Sequence, residues 1–511
     1  MTRLAGGAAP EQSPAGQDAE VVVVGAGPVG LTLAVALVGR GRRVLVLERR
    51  AAPYCAPRAV HLDGEAARIL QSCGIGAGLE QVLEPAPIYE WRNAGGDAIL
   101  RLGRPLDGPS GWPASSMFHQ PDLEALLVAR LARLGGELRR GVEVTGVDQD
   151  PSGATVRTTD GPVRAAYAVG CDGAGSSVAS GLGLPVHDLG FDHEWLVLDV
   201  VPDDPWRQEP INLQICDPAR PTTAVSGGPG RRRFELMRLP GEDAGELSTP
   251  RRAWELLAPW GLHPANATLE RSVLYRFAAR WVERWRAGRV LVAGDAAHQM
   301  PPFAGEGLCT GLRDAANLAW KLDLVLAGIA GDAILDTYET ERLPAVVGAT
   351  ELSVELGRVV CVVDPVAAAG RDAAMAPGVG PEPIAAPSLP PIDEGVVAVG
   401  TPGAGETWVQ GRSGGQRSDD LHGSGWRLWS IEAGVPAEAG RRLELLDGKV
   451  ITLPSDRGPG ADDLERAWMA ERGVVAALVR PDFCVFGTAG DRAGAIELVE
   501  LLRARITLGT G

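Results

Sequence analysis

The residue types and spacings best suited to chemistry lie near the start of the chain. Gly25-Ala26-Gly27-Pro28-Val29-Gly30 is a G-x-G-x-x-G, and Glu48 follows 23 positions after Gly25. Each residue has a physical task in holding a dinucleotide. Gly25 lets the chain turn sharply. Gly27 puts no side chain between a pyrophosphate and the helix N-terminus, whose free N–H groups and positive dipole end attract phosphate. Gly30 lets that helix pack close to a sheet. A carboxylate at the spacing of Glu48 can grip ribose hydroxyls. Two more stretches combine acids with glycines. They are Cys171-Asp172-Gly173-Ala174-Gly175, and Gly294-Asp295 followed by Pro301-Pro302 and Gly305-Glu306-Gly307.

These residues need elements to place them. The β-branched run 21–24 predicts a strand, the apolar stretch 31–38 a helix, and 44–47 a second strand ending at Glu48. A membrane span over 21–38 is the competing reading, because the stretch has no charge. The glycines and proline at turn spacing, with Arg40, Arg42 and Arg43 leading into the next strand, argue against it. A helix is expected at 121–134 and a hairpin from 141–148 and 154–158. A buried strand should run over 165–172. Strand-like runs at 195–201, 211–215 and 233–239, separated by Pro and Gly, suggest an inserted, mostly antiparallel sheet. The first pattern then resumes with a strand at 289–293 and a long helix at 311–326.

With 511 residues the chain has room for about three domains. A net charge of −16 argues against a nucleic-acid partner, which would need clustered positive charge. Lys321 and Lys449 are the only lysines, so arginine supplies the rest of the positive charge, as a GC-rich genome would encode. The seven cysteines are scattered, with no C-x-x-C, so neither a disulfide framework nor a metal site is expected, and a reducing cytoplasm fits. Residues 1–17 lack the apolar core of a signal peptide and are expected to form a flexible tail.

Three separated signatures now agree: GAGPVG from Gly25, GCDGAGSSV from Gly170, and RVLVAGDAAHQMPPFAGEGLCTGLRDAANLAWKL from Arg289. Together, over roughly 18–350, the chain resembles the group A FAD-dependent aromatic hydroxylases, which share the p-hydroxybenzoate hydroxylase fold. PRAVHLDGEAARIL from Pro57, HQPDLEALL from His119, FDHEWLVLDV from Phe191 and CDPARPTT from Cys216 are similar to the branch of 3-(3-hydroxyphenyl)propionate hydroxylase and polyketide-tailoring hydroxylases. Val479-Arg480-Pro481-Asp482-Phe483 is similar to the end of the thioredoxin-like domain such enzymes carry, here without a redox C-x-x-C. The resemblance implies an α/β fold. A Rossmann-like FAD-binding domain would span 18–184 and 272–365, interrupted by a sheet-rich substrate domain at 185–271. A linker at 366–395 and a thioredoxin-like domain at 396–511 would follow.

The resemblance also implies an activity and a site. NADPH or NADH would reduce FAD, O2 would add to form a C4a-hydroperoxide, and the distal oxygen would pass to a phenolic or polyketide-type aromatic carbon. Alternatives are Baeyer-Villiger or epoxidising chemistry on the same fold, or a flavin-binding scaffold without turnover. Gly25, Gly27, Gly30, Glu48 and Arg49 would hold the AMP half of FAD, with the Val144 backbone at the adenine. Asp172 and Gly173 match a motif serving FAD and the nicotinamide nucleotide. Asp295 would accept from a ribityl hydroxyl. Arg58 and Gln120 would contact the flavin, and Gly307 with the amides of Leu308 and Cys309 its N1–O2 edge, where charge gathers on reduction. Gly175 and Ala179 stand where the family often has arginine, which weakens the expected NADPH-linked role of that segment. His61 is a candidate base for ionising a phenol, and the carbonyl of Pro302 would face the substrate hydroxyl. His119 is a weaker candidate base, Arg231 to Arg233 read as a solvated strand end, and Trp426 and Trp429 as C-terminal core. The partner is a small aromatic molecule, with no membrane, and a homodimer is compatible with the sequence.

Overall fold

The computed structural model describes residues 17–204, 211–375, 390–431, 437–453 and 464–507. Apart from Gln17, the expected N-terminal tail lies outside them.

The valine run forms the strand Ala19–Val24, with Val21, Val22 and Val23 fully buried. It lies at the centre of five parallel strands, in the order Val290–Val292, Gly161–Gly170, Ala19–Val24, Val44–Glu48 and Glu137–Arg140. Strands covered on both faces read as continuous apolar runs, which is what this sequence shows. The helix Pro28–Val38 is buried nearly all round, because it packs against the sheet and the helices Gln120–Arg133 and Gly307–Leu326. Gln120–Arg133 needs only one apolar stripe, and Leu123, Leu127 and Leu131 supply it. Every parallel strand runs the same way. Gly25, Glu48, Asp172 and Asp295, each just beyond or at a strand's carboxyl end, therefore meet on one edge of the sheet, where ligands bind in open α/β sheets.

A second sheet has seven strands in the order Ala267–Phe277, His193–Pro202, Arg232–Met237, Thr222–Ser226, Asn212–Cys216, Ile88–Asn93 and Ala98–Gly103. All neighbours are antiparallel except Asn212–Cys216 with Ile88–Asn93. Two strands thus come from 88–103, outside the 185–271 stretch that carries the antiparallel pattern in the sequence. The stretch 366–395, whose composition predicts a linker, begins with nearly all of a helix, Pro365–Ala374, capped by Asp364. Residues 376–389 lie outside the described part.

The C-terminal unit has a four-stranded sheet ordered Lys449–Thr452, Arg427–Ser430, Ala476–Val479 and Val485–Ala489. The first pair is parallel and the other two antiparallel. Trp426 and Trp429 are both buried, as expected. No described helix is long and apolar enough to cross a membrane.

Buried charge fixes this unit to the rest. Arg480 Nη2 lies 2.6 Å from both Glu341 Oε2 and Asp482 Oδ2, and Lys321 Nζ lies 2.9 Å from the same Glu341 oxygen. The side chains of Arg480, Glu341 and Lys321 are wholly buried. Asp482 Oδ2 also accepts from Trp320 Nε1 at 3.2 Å and Asn317 Nδ2 at 3.0 Å. Burial alone would raise the Glu341 pKa, but Arg480 and Lys321 outweigh it and hold the carboxyl at about 2, below its ordinary 4.5. A depressed carboxyl contributes stability above its unfolded pKa and loses it as pH falls toward the folded one. Acid unfolding should therefore begin below about pH 4.5, as this contribution fades toward about 2. Arg480→Ala should cost roughly 3–5 kcal/mol in urea unfolding, because it removes the guanidinium that two buried carboxylates share. A loss under about 1 kcal/mol would show that the network does not hold the unit.

Candidate functional site

A cavity of about 410 Å³ opens along the edge where the strand ends meet. Gly25, Gly27, Glu48, Arg49, Arg58, Gln120, Val144, Asp172, Gly173, Asp295, Gly307 and Leu308 all line it. The structure thus brings together most of the residues expected to hold FAD. Gly30 and Cys309 stand just behind the wall. A Cβ on Gly30 would sit 2.2 Å from the Gly25 carbonyl oxygen, and Cys309 is fully buried.

Several features fit a dinucleotide. Gly25 has φ +104°, and a Cβ there would lie 2.4 Å from the Cys171 carbonyl oxygen. Gly27 has an ordinary extended backbone, φ −78° and ψ 177°, and a Cβ there would meet nothing within 4 Å. Its glycine serves the cavity and not the fold. The helices Pro28–Val38 and Gly307–Leu326 both start at the cavity, and neither has a side-chain cap at its N-terminus. Their first-turn N–H groups are left for an anionic or carbonyl ligand. Asp295 is open to the cavity, and among the described residues its carboxylate accepts no hydrogen bond. Enclosure by protein pushes its pKa up, with His298 and Arg58 pulling it down. A ribityl hydroxyl would supply the missing donor.

Other expected residues have partners within the protein. Glu48 accepts from the Ala26 N–H at 3.0 Å and the Arg50 N–H at 2.9 Å. Gln120 Oε1 accepts from the Arg58 and Ala59 N–H groups at 3.0 and 2.9 Å, so it shapes the Arg58 segment. Asp172 accepts from the Ser177 N–H at 2.7 Å and Ser176 Oγ at 2.6 Å, ordering the turn behind Gly173. His119 is nearly buried, 3.1 Å from Asp122. His298 sits on Asp314 at 2.7 Å.

A larger cavity, about 840 Å³, lies between the seven-stranded sheet and the C-terminal unit. It meets the first at Val60, His61, Glu235, Pro302 and Gly305, which line both. Sheet register explains its polar wall. Leu100, Trp91, Gln214, Thr223, Glu235 and Val197 are successive partners across six strands, so their side chains share one face. Thr223 Oγ donates to Gln214 Oε1 at 2.7 Å. Tyr89 and Asn212 belong to the next row, and Arg104 reaches the cavity from beyond the edge strand. Arg104 is half-buried and has no ion pair among the described residues.

His61 stands in a short strand, His61–Asp63. Its Nδ1 is 3.1 Å from the Gly305 carbonyl oxygen and its Nε2 3.0 Å from Ser115 Oγ. A carbonyl only accepts, so Nδ1 carries the hydrogen and Nε2 accepts from Ser115. Burial lowers the His61 pKa, keeping the ring neutral. The Pro302 carbonyl accepts from the Gly305 N–H at 2.9 Å, closing a tight turn. Arg232 and Arg233 are buried, which corrects the solvated strand end read from sequence. Arg233 Nε lies 2.7 Å from Asp199 Oδ1, and its Nη1 and Nη2 donate to the Arg58 and Pro57 carbonyls, both at 2.6 Å. Sequence reasoning missed Glu235, Gln214, Thr223, Tyr89 and Arg104. The alternating pattern of a strand shows one shared face, but not which face meets the cofactor.

A parallel sheet with two uncapped helix starts over a glycine-lined cavity is the arrangement of a dinucleotide-binding protein, and here that cavity joins a second one under an antiparallel sheet. Residues 18–353 match the FAD-binding domain family, and the chain belongs to that family. A probable NADH-specific resorcinol 4-hydroxylase from Rhodococcus jostii (strain RHA1) is 36% identical over 95% of both chains. The 3-(3-hydroxy-phenyl)propionate/3-hydroxycinnamic acid hydroxylase of Mycolicibacterium smegmatis (strain ATCC 700084 / mc(2)155) is 38% identical over 69% of this chain and 63% of its own length. The crystal structure of aklavinone-11 hydroxylase with FAD and aklavinone superposes with TM-score 0.78 at 26% identity, over 96% of this chain and 99% of that one.

Two glycine variants should separate cofactor fit from folding. Gly27→Val should weaken FAD binding at least about tenfold, or 1.4 kcal/mol, while apo-protein unfolding stays unchanged. Gly30→Val should cost roughly 1–3 kcal/mol of stability by overpacking. FAD titration and urea unfolding read the two effects. Full flavin binding by Gly27→Val would place the pyrophosphate elsewhere.

Proposed function

We propose that this protein is an FAD-dependent, NADH-consuming monooxygenase that hydroxylates a small phenol, with a meta-dihydroxybenzene such as resorcinol as the first substrate class to test. The observation that carries this is the meeting of the two cavities at His61, Glu235, Pro302 and Gly305. Overall, one oxygen atom of O2 enters a ring C–H bond, the other leaves as water, and NADH supplies two electrons.

FAD, when bound, supplies reductive activation of O2. The chain's own residues do the rest. Gly27 and the helix start at Pro28 would take the pyrophosphate, with Glu48 and Arg49 at the adenosine and Asp295 at the ribityl chain. The amides of Leu308 and Cys309 would face the flavin edge that gains negative charge. His61 holds Gly305, and so the start of that helix, in place. Pro302 presents the turn against which the substrate ring would lie. The apolar wall of Trp91, Leu100 and Phe303 would keep water from the reacting atoms. The strand order of the C-terminal unit supports a thioredoxin-like reading of that unit, with a packing role. The seven unpaired cysteines suit a reducing cytoplasm.

Arg104 favours a second reading, in which the substrate carries a carboxylate. Its charge on the cavity wall would meet that anion.

Anaerobic stopped-flow mixing with NADH should show resorcinol speeding flavin reduction at least about tenfold; a substrate bound beside its cofactor can supply acceleration of this order and more. The aerobic product should carry one added oxygen on an intact ring. A cleaved ring-carbon bond or an epoxide would replace this reading. Arg104→Met should abolish any turnover of 3-(3-hydroxyphenyl)propionate and leave resorcinol nearly unaffected. Equal loss on both would remove Arg104 from anion binding.

A further inference from the structure

Among the described residues, Glu235 is the one carboxylate that lines both the cofactor cavity and the substrate cavity. It sits mid-strand in Arg232–Met237 and is 8% exposed. Its neighbours along the same sheet row are Thr223 on one side and Val197 on the other. Neither oxygen accepts a hydrogen bond from a described residue, and the nearest cation is Arg233 Nη1 at 3.7 Å. Arg233 cannot serve Glu235 fully, because its guanidinium is committed to Asp199 and to the Pro57 and Arg58 carbonyls. A buried carboxylate left without donors is costly unless something that enters the site supplies one.

The other candidate base is already engaged. His61 points its only lone pair at the Ser115 hydroxyl. Ionising a phenol through His61 would require breaking that bond first.

We propose that Glu235 takes the proton from the substrate's ring hydroxyl. This rests on the reading of the protein as a phenol hydroxylase. The substrate O–H bond breaks, an O–H bond forms on the Glu235 carboxylate, and the electron pair stays on the phenolate oxygen. No atom changes its oxidation state in this step. The electron-rich ring is then the better nucleophile toward oxygen. The Thr223–Gln214 pair lies further along the same row, where it can hydrogen-bond a second hydroxyl of the same ring. The surroundings suit the task. Burial pushes the Glu235 pKa up, Arg233 and Arg271 pull it down, Asp199 pushes it up, and the net shift is upward, toward that of a phenol.

The test is a series of resorcinols and phenols of falling pKa, made more acidic by fluorine, turned over by the wild-type holoenzyme, Glu235→Gln and Glu235→Asp. Flavin absorbance reports that each variant is folded and loaded. With resorcinol, Glu235→Gln should form hydroxylated product about 100-fold more slowly, with NADH still consumed. The deficit should shrink to under about threefold for phenols already ionised at the assay pH, where no base is needed. Glu235→Asp should recover part of the rate. An equal deficit across the series would mean that Glu235 only shapes the pocket, and no deficit would remove it from the reaction; either overturns the proposal. A wild-type enzyme that hydroxylates no phenol would overturn the underlying reading instead.

Discussion

The buried Arg233 guanidinium is the fixed point on which the site depends. It reaches from the antiparallel sheet to Asp199 on the next strand and to the Pro57 and Arg58 carbonyls of the other domain. A buried arginine survives only where its donors are taken up. The pair with Asp199 and the two carbonyls do that, and they set the distance between the two layers. That distance fixes where Arg58, Ala59 and His61 run, and where the two cavities meet. Arg271 Nη1 also donates to the Pro57 carbonyl, so two strands of the sheet grip the same peptide.

From this junction the structure divides its labour. The parallel sheet brings glycines, acids and helix starts to one edge, around the smaller cavity. The antiparallel sheet offers side chains in rows along the larger cavity. Gly305 joins the two. Its left-handed backbone, φ +71°, leaves no room for a Cβ, which would stand 2.7 Å from His61 Nδ1. The loop at the start of Gly307–Leu326 is therefore locked to the strand beneath it.

The parallel half was legible in the sequence because its signals are local. A valine run, three glycines and an acid within thirty-one residues, 18–48, state strand, turn, helix and strand in order. The helix Gln120–Arg133 was equally plain from its leucine spacing. The seven-stranded sheet was only partly legible, since Ile88–Asn93 pairs with Asn212–Cys216 across more than a hundred residues and no local pattern encodes such a register. For the same reason Glu235 looked like an ordinary strand residue. Its meaning comes from the row it joins, with Thr223 and Gln214 beside it. Arg233 misled for the opposite reason: three successive arginines look solvated until Asp199 is seen opposite. His61 was singled out by its place near Arg58, yet sequence could not show that Ser115 and Gly305 occupy both its nitrogens.

The larger cavity has one wall that belongs to neither sheet. Trp408, Asp482 and Cys484 of the C-terminal unit close its outer end, far from the residues that line the cofactor cavity. That wall is held to the rest by buried ion pairs, Arg480 to Glu341 and Arg68 to Asp419, each at 2.6 Å. A change in its surface alters the shape and charge of the chamber without touching a residue that lines the smaller cavity. The outer wall of the chamber can thus vary while the glycine-lined cavity keeps its form.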